Sequence, residues 1–435
     1  MKTLLALAIA LAPAAAQAAL TPAERKMVAT VDSETPRHVA LLERLVNQNS
    51  GSLNLPGVEA VGATMRAELE PLGFQVRWVP MAEVGRAGHL IATRTGSKTG
   101  KRLLLIGHLD TVFEPDSPFQ RFTLKDSNTA EGPGVDDDKG GMVVMLAALR
   151  AMHAAGTLKD ANIEIVLTGD EEDNGNPIAI ARRDLIAAGQ RAEVALDFES
   201  LSREDGKDMG AIARRSSGTW EVRATAKGGH SSGIFSAASG NGAIYELARI
   251  LSAFRAELPE PNLTFNVGLI AGGSSAELDK DAIRATATGK TNIIPEIAIA
   301  RGDIRSLTPE QDARVRAKMS EIVARPLAGA SATLTFAEDS YPPMAPTAGN
   351  RALLDRLNAV NRDLGLPVME PIDPIRRGAG DIGFVAHLTD GLVGLGAAGR
   401  GSHAVGESVD LPSIPRQAKR AAILMTRLSK EKRRK

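Results

Sequence analysis

The 435-residue chain contains no cysteine, which excludes a disulfide framework and any thiolate metal site; a metal ion here has to be held by histidine and carboxylate. Aromatic residues make up 3% of the chain, and Trp78, Trp220, Tyr245 and Tyr341 are its only tryptophans and tyrosines. That is too few for surfaces that stack bases or sugars. Net charge is missing as well. Lysine plus arginine and aspartate plus glutamate each total 52, so no overall field steers the molecule toward nucleic acid or an acidic membrane, and a small-molecule or peptide partner fits better. The apolar run at residues 4–11, preceded by Lys2 and broken by Pro13, is too short to span a bilayer comfortably. With small residues following it to Ala18, it reads as a secretory signal. Residues 1–18 are therefore expected to be a signal peptide, and the mature protein to be periplasmic or secreted with no membrane contact after cleavage.

What is present is an ordinary globular composition, 43% hydrophobic, long enough for two domains. Up to about residue 210 helical patterns alternate with short apolar runs at 103–106, 163–167 and 194–198, which suit strands buried on both faces of an α/β sheet. His108, Glu171 and Glu199 follow the ends of these runs, where open α/β sheets collect their ligands. Beyond residue 206 the texture changes to strands at 219–226, 263–270, 290–294 and 298–304 with helices at 243–258 and 309–324. The chain is thus expected to divide into a catalytic unit at 19–213 and 329–429, with a mostly parallel sheet, and an inserted α+β unit at 214–328. The segment 332–337 is expected to return to the first unit, and the basic end at 430–435 to be a solvated tail.

Five segments carry chemistry. In Gly107-His108-Leu109-Asp110-Thr111-Val112 a strand stops on a histidine and an aspartate follows two residues later, on the same side of an extended chain. His108 can ligate a metal while Asp110 accepts the proton of its other ring nitrogen; a satisfied turn histidine explains the pair equally well in isolation. Gly132-Pro133-Gly134-Val135-Asp136-Asp137-Asp138-Lys139-Gly140-Gly141 crowds three carboxylates before an apolar helix. Such charges repel without a cation, and Asp137 is the candidate to bridge two metal ions. One member of the run is expected to cap the helix, and a calcium loop is the weaker rival because the ligand alternation is wrong. In Gly169-Asp170-Glu171-Glu172, Glu172 is the candidate ligand and Glu171 the candidate base. Glu199 is a further strand-end carboxylate, and His403 sits in the glycine loop Gly399-Arg400-Gly401-Ser402-His403. Individually each reads as a solvated loop or surface residue; together, imidazoles and carboxylates suit zinc, cobalt or manganese.

With these motifs in this order, the sequence resembles the co-catalytic zinc peptidase family that includes glutamate carboxypeptidase, acetylornithine deacetylase, succinyl-diaminopimelate desuccinylase and aminoacylase. The resemblance covers nearly the whole mature chain. It implies two zinc ions per subunit, one on His108, Asp137 and Glu199 and the other on Asp137, Glu172 and His403, with Asp110 orienting His108 and Glu171 as general base. It continues at Lys227-Gly228-Gly229-His230, Asn292-Ile293-Ile294-Pro295 and Gly302-Asp303-Ile304-Arg305. There it implies that the inserted unit is a ferredoxin-like lid and dimerisation domain and that His230 stabilises an oxyanion across a homodimer. Arg305 and Asn292 would bind a substrate carboxylate. The expected activity is cleavage of an amide bond next to a free carboxylate, as a carboxypeptidase or as a deacylase of N-acyl amino acids. A periplasmic metal- or peptide-binding protein is the rival from another class. Two departures bear on the substrate. Relatives often carry Gly-Gly-Thr/Ser-Asp where this chain has Gly378-Ala379-Gly380-Asp381, and residues 231–241 lack a proline often found after the histidine.

Overall fold

The computed structural model describes residues 20–433; the expected signal peptide lies outside them. Helix Pro22–Val46 begins where Thr21 and Glu24 form a reciprocal capping box, with Pro22 at its first position. The principal sheet has six strands in the order Gln75–Met81, Arg86–Arg94, Asn162–Thr168, Arg102–His108, Val194–Asp197 and Asp390–Leu392. The last four run parallel, and Arg86–Arg94 runs against both of its neighbours. The architecture is therefore α/β with a mostly parallel central sheet, as the continuous apolar runs imply. Leu103 and Leu105 enter one core and Leu104 and Ile106 the other, so alternate residues of one strand are buried on opposite faces. Helices Pro22–Val46, Lys139–Ala154 and Ser413–Lys430 pack together on the first face. Lys139–Ala154 is buried almost all round, which is why its sequence lacks a polar stripe.

A second, antiparallel sheet joins Thr264–Phe265, Ile297–Arg305, Gly218–Ala226 and Ala330–Phe336, with Leu269–Gly273 also on Ile297–Arg305. Helices Ala243–Glu257 and Pro309–Val323 contribute to its own core around Trp220 and Phe254. Three expectations are corrected here. Ala330–Phe336 does not return to the first sheet; it pairs with Gly218–Ala226 from Trp220↔Phe336 to Ala226↔Ala330, because its alternating side chains fit a half-exposed antiparallel edge. The strand expected at 263–270 is split, since Phe265 pairs with Ile304 and Leu269 with Arg301; one surplus residue makes a bulge there. Only Ile293–Ile294 is extended within 290–294. The basic end is also less free than expected. Glu431 pairs with Lys101 and Arg356, and Arg433 Nε donates to Gly100 O at 2.8 Å. Among the described residues, no helix is long and apolar enough to cross a membrane.

Candidate metal and peptidase site

Strand Arg102–His108 delivers His108 to the carboxyl end of the sheet, 2% exposed. Its Nε2 lies 3.0 Å from Asp137 Oδ1, and its Nδ1 lies 3.3 Å from Asp110 Oδ1 and 3.1 Å from the Asp110 carbonyl. Asp110 does more than orient this ring. Its Oδ1 accepts the Glu171 amide and its Oδ2 the Glu172 amide, both at 3.0 Å, and Ser52 Oγ donates to Oδ2 at 2.6 Å. One buried carboxylate thus ties the histidine motif to the glutamate motif. Burial alone would raise its pKa, but His108, Ser52 and the Glu172 amide outweigh it and hold Asp110 below the usual carboxylate range.

The other histidine arrives from the far end of the chain. His403 has φ +68°, between Gly401 at +74° and Gly406 at +96°, a left-handed conformation that costs little for glycine and marks a constrained position for histidine. Its Nε2 is 3.3 Å from Asp137 Oδ2 and 3.0 Å from Glu172 Oε2. Asp137 therefore faces His108 with one oxygen and His403 with the other. The donor atoms of His108, Glu171 and Glu172 gather on one side, and those of Asp137, Glu172 and His403 on the other. Hydrogen bonds to Asp137 and then Glu172 push His403 up to about 11. Asp137 is held well below its usual range: burial opposes this, but both histidines outweigh it. The potential of the site favours positive charge, and the donors are imidazole nitrogen and carboxylate oxygen, so the residues fit a pair of divalent ions. Glu172 is raised to about 7 by burial and by Asp137, and Glu171 is raised well above its ordinary value by burial and by Glu199.

Asp137, Glu171, Glu172 and His403 line a cavity of about 410 Å³ together with Glu199, Arg214, Arg305 and Arg377. Glu199 belongs to the cavity but not to either donor cluster; its carboxylate is in direct contact with Arg214 Nη1 and lies 3.7 Å from Arg377 Nη2. Arg305, about a third exposed, pairs with Asp303 at 3.0 Å. His230 and Asn292 are brought side by side: His230 pairs with Ile293 in a short ladder, and Ser231 N donates to Asn292 O at 2.9 Å. Neither lines this cavity. His230 is exposed, with Nδ1 2.8 Å from Ser232 Oγ.

Several residues that hold the site carry no motif of their own. Glu407 accepts the amides of Asp136 at 2.8 Å and of Asp137 and Gly134 at 3.0 Å, fixing the acidic loop. Its only sequence signal is its place four residues after His403. Arg182, fully buried, bonds Asp170 Oδ1 and Asp381 Oδ1 at 2.6 Å each and Tyr341 Oη at 2.7 Å. Tyr341 Oη in turn donates to the Glu171 carbonyl at 2.8 Å, and Thr168 Oγ1 donates to Asp381 Oδ2 at 2.6 Å. The expected side-chain cap from the acidic run is absent. Asp138 occupies the N-cap without a capping bond, because its Oδ2 accepts the His108 amide at 3.3 Å instead.

The chain is similar in sequence or fold to several known peptidases. Carboxypeptidase G2 from Pseudomonas sp. (strain RS-16) is 28% identical over 432 residues, covering 98% of this chain and 97% of that protein. A tripeptidase structure from Staphylococcus aureus superposes with a TM-score of 0.68 at 18% identity, covering 91% of this chain and 99% of that one. The Bacillus subtilis YXEP protein, a dinuclear metal binding peptidase, gives a TM-score of 0.63 at 16% identity over 92% and 99%. Residues 104–427 match the model of peptidase family M20/M25/M40, a span that contains both histidines and every carboxylate of the two donor clusters. The chain belongs to peptidase family M20/M25/M40, a family of metal-dependent peptidases.

Proposed function

We propose that this chain is an exported two-zinc carboxypeptidase, hydrolysing an amide bond next to a free carboxylate. The observation that carries the reading is the Asp137 carboxylate set between His108 and His403, at 3.0 and 3.3 Å, with Glu171 gathered beside His108 and Glu172. His108 and Glu199 with Asp137 would hold one ion, and Glu172 and His403 with Asp137 the other; cobalt or manganese would suit the same donors. When bound, the ions supply Lewis acidity and lower the pKa of water toward neutrality. Glu171, desolvated and with no lysine or arginine paired to its carboxylate among the described residues, takes the proton from the attacking water and returns it to the departing amine. Asp110 fixes the His108 ring through Nδ1. Arg305 binds the substrate carboxylate together with Asn292, and His230 stabilises the oxyanion; Asn292 and His230, which do not line this chain's own cavity, act from a second subunit. Coverage of nearly the whole length of carboxypeptidase G2 supports the exopeptidase reading over deacylation.

The test is hydrolysis of a panel of C-terminal dipeptides, folyl-glutamate and N-acyl amino acids by the mature protein, with zinc and then with chelator. Chelator-sensitive cleavage of the peptides is expected. Full metal occupancy with no cleavage of any member would favour a binding protein.

A further inference from the structure

We infer that Arg214 is a positioning residue for Glu199 that makes the two metal positions unequal: Asp137, Glu172 and His403 take the first ion, and the position that depends on Glu199 takes the second weakly. This rests on the two-metal reading above.

The inequality follows from how charge is matched. Among the described residues, no lysine or arginine pairs with Asp137 or Glu172; their ionic partners are His108 and His403. Those two carboxylates are offset at contact distance by imidazoles, with Arg377 reaching Asp137 only through a longer-range attraction. Glu199 has a permanent cation instead. Arg214, with its side chain 7% exposed, contacts Glu199 Oε2 through Nη1 and lies 3.8 Å from Asp197 Oδ2, while its Nε donates to the Gly378 carbonyl at 2.7 Å. Arg377 stands 3.7 Å from the same Glu199 oxygen. Two carboxylates are thus faced by two guanidinium groups, and an ion entering at Glu199 meets a neighbourhood already neutralised.

The departure at Gly378-Ala379-Gly380-Asp381 now has a physical reason. Gly380 is extended, with φ 178°, so its backbone does not require glycine. Its space does. A Cβ there would lie 2.6 Å from the guanidinium carbon of Arg214 and 2.5 Å from Glu199 Oε1, closer than side chains pack. A threonine or serine at this position and Arg214 in its present place exclude each other.

Two effects of Arg214 oppose. Holding the Glu199 carboxylate in one orientation favours metal binding, since outer-shell partners of this kind are worth about ten- to a hundredfold in affinity. A full positive charge against the same carboxylate disfavours a dication, and in a buried site with little screening this is the larger effect. Arg214→Met should therefore tighten the second position rather than loosen it.

The experiment strips the mature protein of metal and titrates it with Co²⁺, following absorption and calorimetric heat, with bound metal counted after desalting. The parent is expected to retain about one ion per chain, with the second bound at least about tenfold more weakly because of the guanidinium charge. Arg214→Met should narrow that gap, and so should Arg214→Gln, which removes the charge but keeps a polar side chain in reach of the Gly378 carbonyl and decides the matter if Arg214→Met does not fold. Two equal sites in the parent would overturn the inference and leave the two-metal reading standing. So would a gap that neither variant moves, or a second site weakened by Arg214→Met. A parent that retains no metal under any condition would overturn the two-metal reading itself.

Discussion

Glu171 lies among carboxylates and is desolvated, with its pKa raised by burial and Glu199, and its donor atom gathers with those of His108 and Glu172, so a substitution has to separate proton exchange from coordination. Glu171→Gln keeps the volume and removes the basic oxygen. The expected outcome is a loss of about 10²–10⁴ in kcat with metal content unchanged, read by steady-state kinetics beside elemental analysis. Loss of metal together with activity would assign Glu171 to coordination instead. At this scale the histidines and carboxylates were legible in the sequence because each ends a short apolar run or sits among glycines. Arg214, Arg182 and Glu407 were not, since their roles come from partners 15, 199 and 270 residues away, at Glu199, Asp381 and Asp137.

At the scale of elements, the turn carrying Glu171 is held from below by Arg182, which joins Asp170, Asp381 and Tyr341 in a buried cluster. Removing one member of a buried ionic set strands the others. Arg182→Met is expected to cost about 3–5 kcal/mol in unfolding free energy, measured by denaturant titration; a change under about 1 kcal/mol would mean the cluster is not a stabilising device. Helix Pro22–Val46 offers a separate test. His38 is 1% exposed, neither ring nitrogen has a hydrogen-bond partner, and its nearest carboxylate oxygen, on Glu34, is 3.8 Å away. Burial pushes it down to about 4, with Glu34 opposing and Arg150 reinforcing the shift. The unfolded chain, titrating near 6.5, binds more protons than the folded one between those values. Stability from His38 is therefore full above about pH 6.5 and is lost as pH falls toward 4, on the order of 3 kcal/mol at the limit. His38→Leu should lose less stability than the parent between pH 7 and 4; parallel pH profiles would refute this.

For the whole molecule, His230 lies in a short ladder with Ile293, Asn292 adjoins that ladder, and neither lines the cavity, so the proposed catalytic role for His230 calls for a second subunit. Glu171→Gln and His230→Ala should each be inactive alone. Mixed and allowed to exchange subunits, they should recover about a quarter of parental activity, because half the dimers are mixed and each has one complete site. No recovery, with exchange verified by sedimentation of tagged chains, would remove His230 from the site.

The sequence by itself determined the parallel sheet and which histidines and carboxylates are candidates for the site. Both are local signals: continuous apolar runs mark strands buried on two faces, and polar residues at strand ends mark where such sheets bind. Tertiary structure decided what depends on distant partners. It put Ala330–Phe336 beside Gly218–Ala226, a pairing its alternation permits without specifying. It also made Asp110 accept the amides of Glu171 and Glu172. Finally, it set Arg214 against Glu199 in the space that Gly380 leaves open. A missing Cβ is visible in the sequence, but what fills its place is fixed only when three distant segments pack together.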